Sequence, residues 1–84
     1  MTNTELLEDL IKKSGYKKSY IAKAIGRSIQ ALNNKIKNES EFTGTELAIL
    51  CLLLEINTFE AFHRVFFNQK VELNSTELGQ SATS

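Results

Sequence analysis

KKSYIAKAIGRSIQALNNKIK, residues 17–37, is the stretch on which the fold turns. Ala22, Gly26 and Leu32 stand four and six residues apart in it. A residue as small as Ala22 suits a point where a second helix crosses so closely that little more than a methyl group fits. Gly26 then ends the first helix at a turn that wants positive φ, and Ser28 offers its hydroxyl as the N-cap of the next helix. Ile21, Ile25, Leu32 and Ile36 fall on the inner faces. The spacing predicts two short helices, 19–25 and 29–37, that share one apolar seam across a tight turn.

The remaining chain reads as helix as well. The 84 residues make one domain with a single modest core. The absence of proline, the 42% apolar content and the i, i+3, i+4 repeats favour an all-α chain. A first helix, 4–14, carries Leu7, Leu10 and Ile11 on one face and acids near its N-terminus, and Gly15 stops it. Thr43 with Glu46 reads as a capping box that opens a fourth helix to residue 54. Asn57 with Glu60 reads as a second box opening a fifth helix to residue 67. The fourth helix, in ELAILCLLLEI, is apolar nearly all round, so it is expected to be the central buried element. In FEAFHRVFF, residues 59–67, Phe59, Phe62 and Phe66 are expected to close the core, with Val65 and Phe67 off that stripe and His63 partly buried among the aromatics. KVEL, 70–73, alternates as a short strand does. The domain is taken as 1–73, and 74–84 as a polar, disordered tail. No internal repeat is present.

Charge narrows the function. The formal net charge is zero, yet its distribution is uneven. Residues 10–38 hold Lys12, Lys13, Lys17, Lys18, Lys23, Arg27, Lys35 and Lys37 with no acid, whereas Arg64 and Lys70 face all ten acids elsewhere. A basic stretch coinciding with a helix-turn-helix pattern is the electrostatic footprint of a nucleic-acid binder. Cys51, the single cysteine, cannot form an internal disulfide, which suits a reducing compartment. The polar, acidic N-terminus is not expected to act as a signal peptide, and the apolar run 47–54 is too short to span a bilayer. A cytoplasmic protein, without membrane association, is expected. No Cys/His pair has metal spacing, no glycine-rich phosphate loop occurs and the lone His63 has no nucleophile near it in sequence, so neither catalysis nor a cofactor is expected.

GRSIQALNNKIKNESEFTGTELAILCLLLEI, residues 26–56, resembles the small helix-turn-helix regulators of temperate phages, the Cro/repressor (XRE-like) class. The likeness covers roughly residues 5–73 and includes the S-x-Q-A-L-x-N-K-I reading helix and a phenylalanine-rich helix near the end. It implies a five-helix lambda-repressor-like domain and a regulatory role in a bacterial host cell. Three departures stand out: Arg27 replaces the usual aliphatic residue after the glycine, Lys18 replaces the usual Gln or Thr, and KNESEF replaces the usual acidic-x-Gly ending. The first two add positive charge.

At 100° per residue, with Leu32 and Ile36 inward, Gln30, Asn33, Asn34 and Lys37 point outward. Gln and Asn amides bond bidentately to adenine N6 and N7 in the major groove. The resemblance assigns base reading to Ile29, Gln30 and Asn34. Ile29 lies beside the inward seam and has two readings, a core residue or a contact to a thymine methyl. Phosphate contacts are expected from Lys18, Ser19, Arg27, Ser28 and Lys37, with a hydroxyl from Tyr20. Lys12, Lys13 and Lys23 read as a solvated face. Two functions follow. One is a homodimeric repressor that places two such helices in successive major grooves of a double-stranded DNA operator. The other is a module of the same fold that binds another phage repressor and modulates it without reading DNA alone.

Overall fold

The computed structural model describes residues 1–67. The expected strand 70–73 and tail 74–84 lie outside them. Among the described residues the chain is all-helical, with α1 Thr4–Ser14, α2 Lys18–Ile25, α3 Ile29–Ile36, α4 Gly44–Leu54 and α5 Phe59–Phe66. None of these helices is long and apolar enough to cross a membrane.

Each boundary has a local cause. The Asn3 side chain caps α1 by accepting from the Leu6 N–H, and Gly15 ends it at φ 80. Gly26 ends α2 at φ 77. There the Gly26 N–H donates to Lys23 O at 3.1 Å and the Arg27 N–H to Ala22 O at 2.9 Å, the paired bonds of a Schellman motif. Ser28 caps α3 through the Ala31 N–H at 3.1 Å. Past α3, Asn38 takes the left-handed conformation at φ 67, and the Glu39 N–H reaches back to Asn34 O at 2.8 Å. Thr43 and Glu46 form both halves of the capping box at α4. The expected box at Asn57 and Glu60 is displaced by one residue. Thr58 is the cap, its hydroxyl accepting from the Ala61 N–H at 3.1 Å. That leaves Glu60 to pair with Arg64, one turn along the exposed surface, at 3.2 Å.

Packing follows the apolar seams. Leu7 and Ile11 of α1, Ile21, Ala22 and Ile25 of α2, Leu32 and Ile36 of α3, Leu50 and Leu54 of α4, Ile56, and Val65 and Phe66 of α5 form one buried cluster. α2 packs on α3 and α4, and α1 on α3, α4 and α5. The N-terminal segment is tied into this frame. The Asn3 N–H donates to Val65 O at 2.7 Å, the Thr4 hydroxyl to Ile36 O at 2.6 Å, and Thr2 and Asn38 exchange two hydrogen bonds.

The C-terminal half departs from expectation in three further places. α4 is buried on one side only, for Leu52 is 80% exposed while Leu50, two residues away, is fully buried. On α5 the inward arc is centred on Phe62, Val65 and Phe66, so Val65 is core and Phe59, at the arc's edge, is 78% exposed. His63 is exposed rather than partly buried, with its ring 5.9 Å from both Phe59 and Phe67.

Leu50 and Leu52 therefore make a paired test. Leu50→Ala should lower unfolding stability by about 2–5 kcal/mol through transfer and cavity terms. Leu52→Ala should change it by no more than about 0.5 kcal/mol. Thermal or denaturant melts of the two variants check the difference, and similar losses in both would contradict the packing of α4.

Candidate nucleic-acid interface

The turn 26–28 and the first residues of α3 form one surface because of how α3 divides its faces. Leu32 and Ile36 are buried, while Gln30 is exposed and Asn33 and Asn34 are half-buried. Ile29 is 47% exposed at the first position of α3, so it is not a core residue. Ser28 supplies the cap hydroxyl, and the leading N–H groups of α3, free of intrahelical partners, point out of its N-terminal end.

The surrounding side chains are arranged less simply than a row of free cations. Lys18 is held: its ammonium donates to Glu8 of α1 at 3.0 Å and to the Asn33 side-chain oxygen at 3.1 Å. An ammonium only donates, so this contact fixes the Asn33 amide with its carbonyl engaged and its NH2 group left to donate. Ser19 is exposed on the second residue of α2. Tyr20 is exposed and stacks on Tyr16, with ring centroids 5.1 Å apart and planes at 13°. Lys37, which follows α3, is exposed. Among the described residues, Lys12, Lys17, Lys23 and Lys37 form no ion pair, while Lys13 pairs with Asp9 at 3.0 Å.

Sequence reasoning missed a buried ionic cluster beneath this surface. Glu46, read only as the second half of a capping box, is 3% exposed. Its Oε2 accepts from Arg27 Nε. Its Oε1 accepts from the Thr43 N–H at 2.9 Å and lies 3.2 Å from the Lys35 ammonium. Lys35 is buried too, and donates to Glu41 O at 2.8 Å. A signal for it was present, since Lys35 lies 60° from Leu32 on the helical wheel, at the edge of the inward arc. Burial works against ionisation of Glu46 more strongly than any other single influence. The Thr43 N–H, the Arg27 and Lys35 hydrogen bonds and the Lys35 charge together outweigh it, and they lower the carboxyl from 4.5 to about 2. Burial alone pushes the Cys51 thiol up.

Among the described residues no group of three or more His, Cys, Asp or Glu side chains is placed to hold a metal ion. No protein-family model matches the chain, and no curated protein or solved structure matches it either.

The cluster makes stability depend on acid in a definite direction. The folded carboxyl sits below its unfolded value, so its contribution is complete above pH 4.5 and is lost as pH falls towards 2. A displacement of that size is worth about 3 kcal/mol. The melting temperature of the parent should therefore fall across this range more steeply than that of the charge-balanced variant Glu46→Gln/Lys35→Met. Equal slopes in the two proteins would show that Glu46 is not held in this way.

Proposed function

We propose that this protein is a sequence-specific DNA-binding transcriptional regulator of the Cro type, acting in the cytoplasm of a bacterial cell as a homodimer. In this reading α3 enters the major groove and its capped N-terminus meets the bases. The observation that carries the proposal is the division of α3 into two faces. One packs Leu32 and Ile36 into the core, and the other presents Ile29, Gln30, Asn33 and Asn34 beside exposed hydroxyls and cations. No acid occurs within residues 17–37, and the acid beside that face, Glu8 of α1, is paired with Lys18.

The side chains divide by chemistry. Gln30 keeps both donor and acceptor, the set that matches adenine N6 and N7. Asn33, its carbonyl engaged by Lys18, keeps both NH2 donors, which suit an acceptor such as guanine N7 or thymine O4. Ile29 suits a thymine methyl. Ser19, Tyr20, Ser28, Arg27 and Lys37 flank the groove and contact phosphates. Lys18 joins them only where a phosphate displaces Glu8.

A second reading is favoured by one observation, the exposure of Leu52 and Phe59 at 80% and 78% on α4 and α5. Large apolar side chains so placed suit a protein partner. In that reading the chain is an interaction module that binds another phage repressor.

Binding of the purified protein to the DNA upstream of its own gene, against random-sequence DNA, separates the two. Gln30→Ala and Asn34→Ala should each weaken upstream-DNA binding by about 1–3 kcal/mol and leave random-sequence binding nearly intact. Equal affinity of the parent for both DNAs would overturn the Cro-type reading and leave the interaction module.

A further inference from the structure

Arg27 is fixed twice. Its backbone N–H closes the Schellman motif on Ala22 O, and its side-chain Nε is held by a carboxylate that is itself 3% exposed. The Arg27 side chain is nevertheless 46% exposed, and its two terminal nitrogens form no hydrogen bond or ion pair among the described residues. Glu46 thus grips the guanidinium through Nε and leaves its two terminal nitrogens without a partner among the described residues, on the residue that directly precedes the Ser28 cap. The same carboxylate reaches Lys35 in the last turn of α3, so one side chain of α4 ties down both ends of that helix.

A buried carboxylate behind a DNA-binding surface is, by charge alone, unfavourable for phosphate. Here two cations meet one anion, which leaves one positive charge in excess. Lys35 is buried, so the excess is displayed at the exposed end of Arg27. A free arginine side chain must give up rotamer entropy to hold a phosphate. One already held through Nε has given up much of that before the DNA arrives.

We propose that Glu46 is a positioning residue for the DNA backbone: it holds Arg27 by Nε so that both terminal nitrogens face a phosphodiester at the N-terminus of α3, and it anchors the far end of α3 through Lys35. This inference rests on the DNA-binding reading above and names a residue which that reading does not contain.

Binding to a random-sequence DNA duplex at low salt tests it, because only backbone contacts matter there. Four proteins are compared, each shown by its melt to be folded at the assay temperature: the parent, Arg27→Ala, the pair Glu46→Gln/Lys35→Met, and the triple combination. The pair removes one charge of each sign, so net charge is unchanged and a fall in affinity reports geometry. The pair is expected to lose about tenfold, close to the loss in Arg27→Ala, with less than about twofold added when the two are combined. A pair that binds like the parent, or an Arg27→Ala loss as large in the pair as in the parent, overturns the inference.

Arg27→Lys gives the same answer while keeping both Glu46 and Lys35. Lysine has one charged group, which Glu46 would occupy, so this variant should bind as weakly as Arg27→Ala despite its conserved charge. Parent-like affinity in Arg27→Lys also overturns the inference. A parent that does not bind the duplex at all fails at an earlier step, and overturns the DNA-binding reading itself.

Discussion

The side chain of Glu46 is where the local rules of this chain meet its tertiary structure. It completes a capping box at the start of α4, as residues three apart do in many helices. The same oxygens gather Arg27 from the turn before α3 and Lys35 from its last turn. A buried ion pair is weak evidence for net stability, because desolvation opposes the Coulomb gain and an apolar replacement of the whole group is often neutral. Removing one member alone leaves an uncompensated charge and costs about 3–5 kcal/mol. What the cluster contributes is therefore geometry. The apolar seam of Leu32 and Ile36 holds α3 against the core, and the ionic contacts at its two ends fix its rotation and tilt.

The same cluster changes the meaning of the charge count. Residues 17–37 carry six basic side chains and no acid, which in sequence looks like a uniformly positive surface. In three dimensions Arg27 and Lys35 share Glu46, and Lys18 is paired with Glu8. Acids from α1 and α4, remote in sequence, reach into the basic stretch from behind. Lys17, Lys23 and Lys37 remain as exposed cations without ion pairs among the described residues. The zero net charge and a DNA-binding face are compatible on this arrangement, since much of the positive charge serves to place side chains rather than to attract phosphate at long range.

Much of the architecture was legible in the sequence because it depends on neighbours a few residues apart. Gly15 and Gly26 mark helix ends at positive φ, Ser28 and Thr43 mark helix starts, and Ala22 marks the close crossing of α2. The parts that were not legible depend on which face of a helix finds a partner. α4 reads as apolar all round, and nothing local says that Leu52 is the residue left outside. In α5 the phenylalanines suggested a stripe through Phe59, but the arc that meets the core runs through Val65. The cap lies at Thr58 rather than Asn57, and both residue types are competent caps, so the local sequence did not choose between them. For the candidate interface, the outward direction of Gln30 and Asn34 followed from helix periodicity. The engagement of Asn33 by Lys18 and the burial of Lys35 required contacts between helices.

The proposed function requires the exposed side of α3 and the turn before it to bind DNA. Nitrogen-15 NMR of side-chain groups during titration with a DNA duplex enriched from a random pool by the protein tests it most directly. The amide resonances of Gln30, Asn33 and Asn34 and the Nε–H resonance of Arg27 should shift together and saturate at one stoichiometry, with Asn57, in the loop between α4 and α5, unmoved. Shifts confined to the surface around Leu52 and Phe59, or failure of any duplex to be enriched, would contradict it.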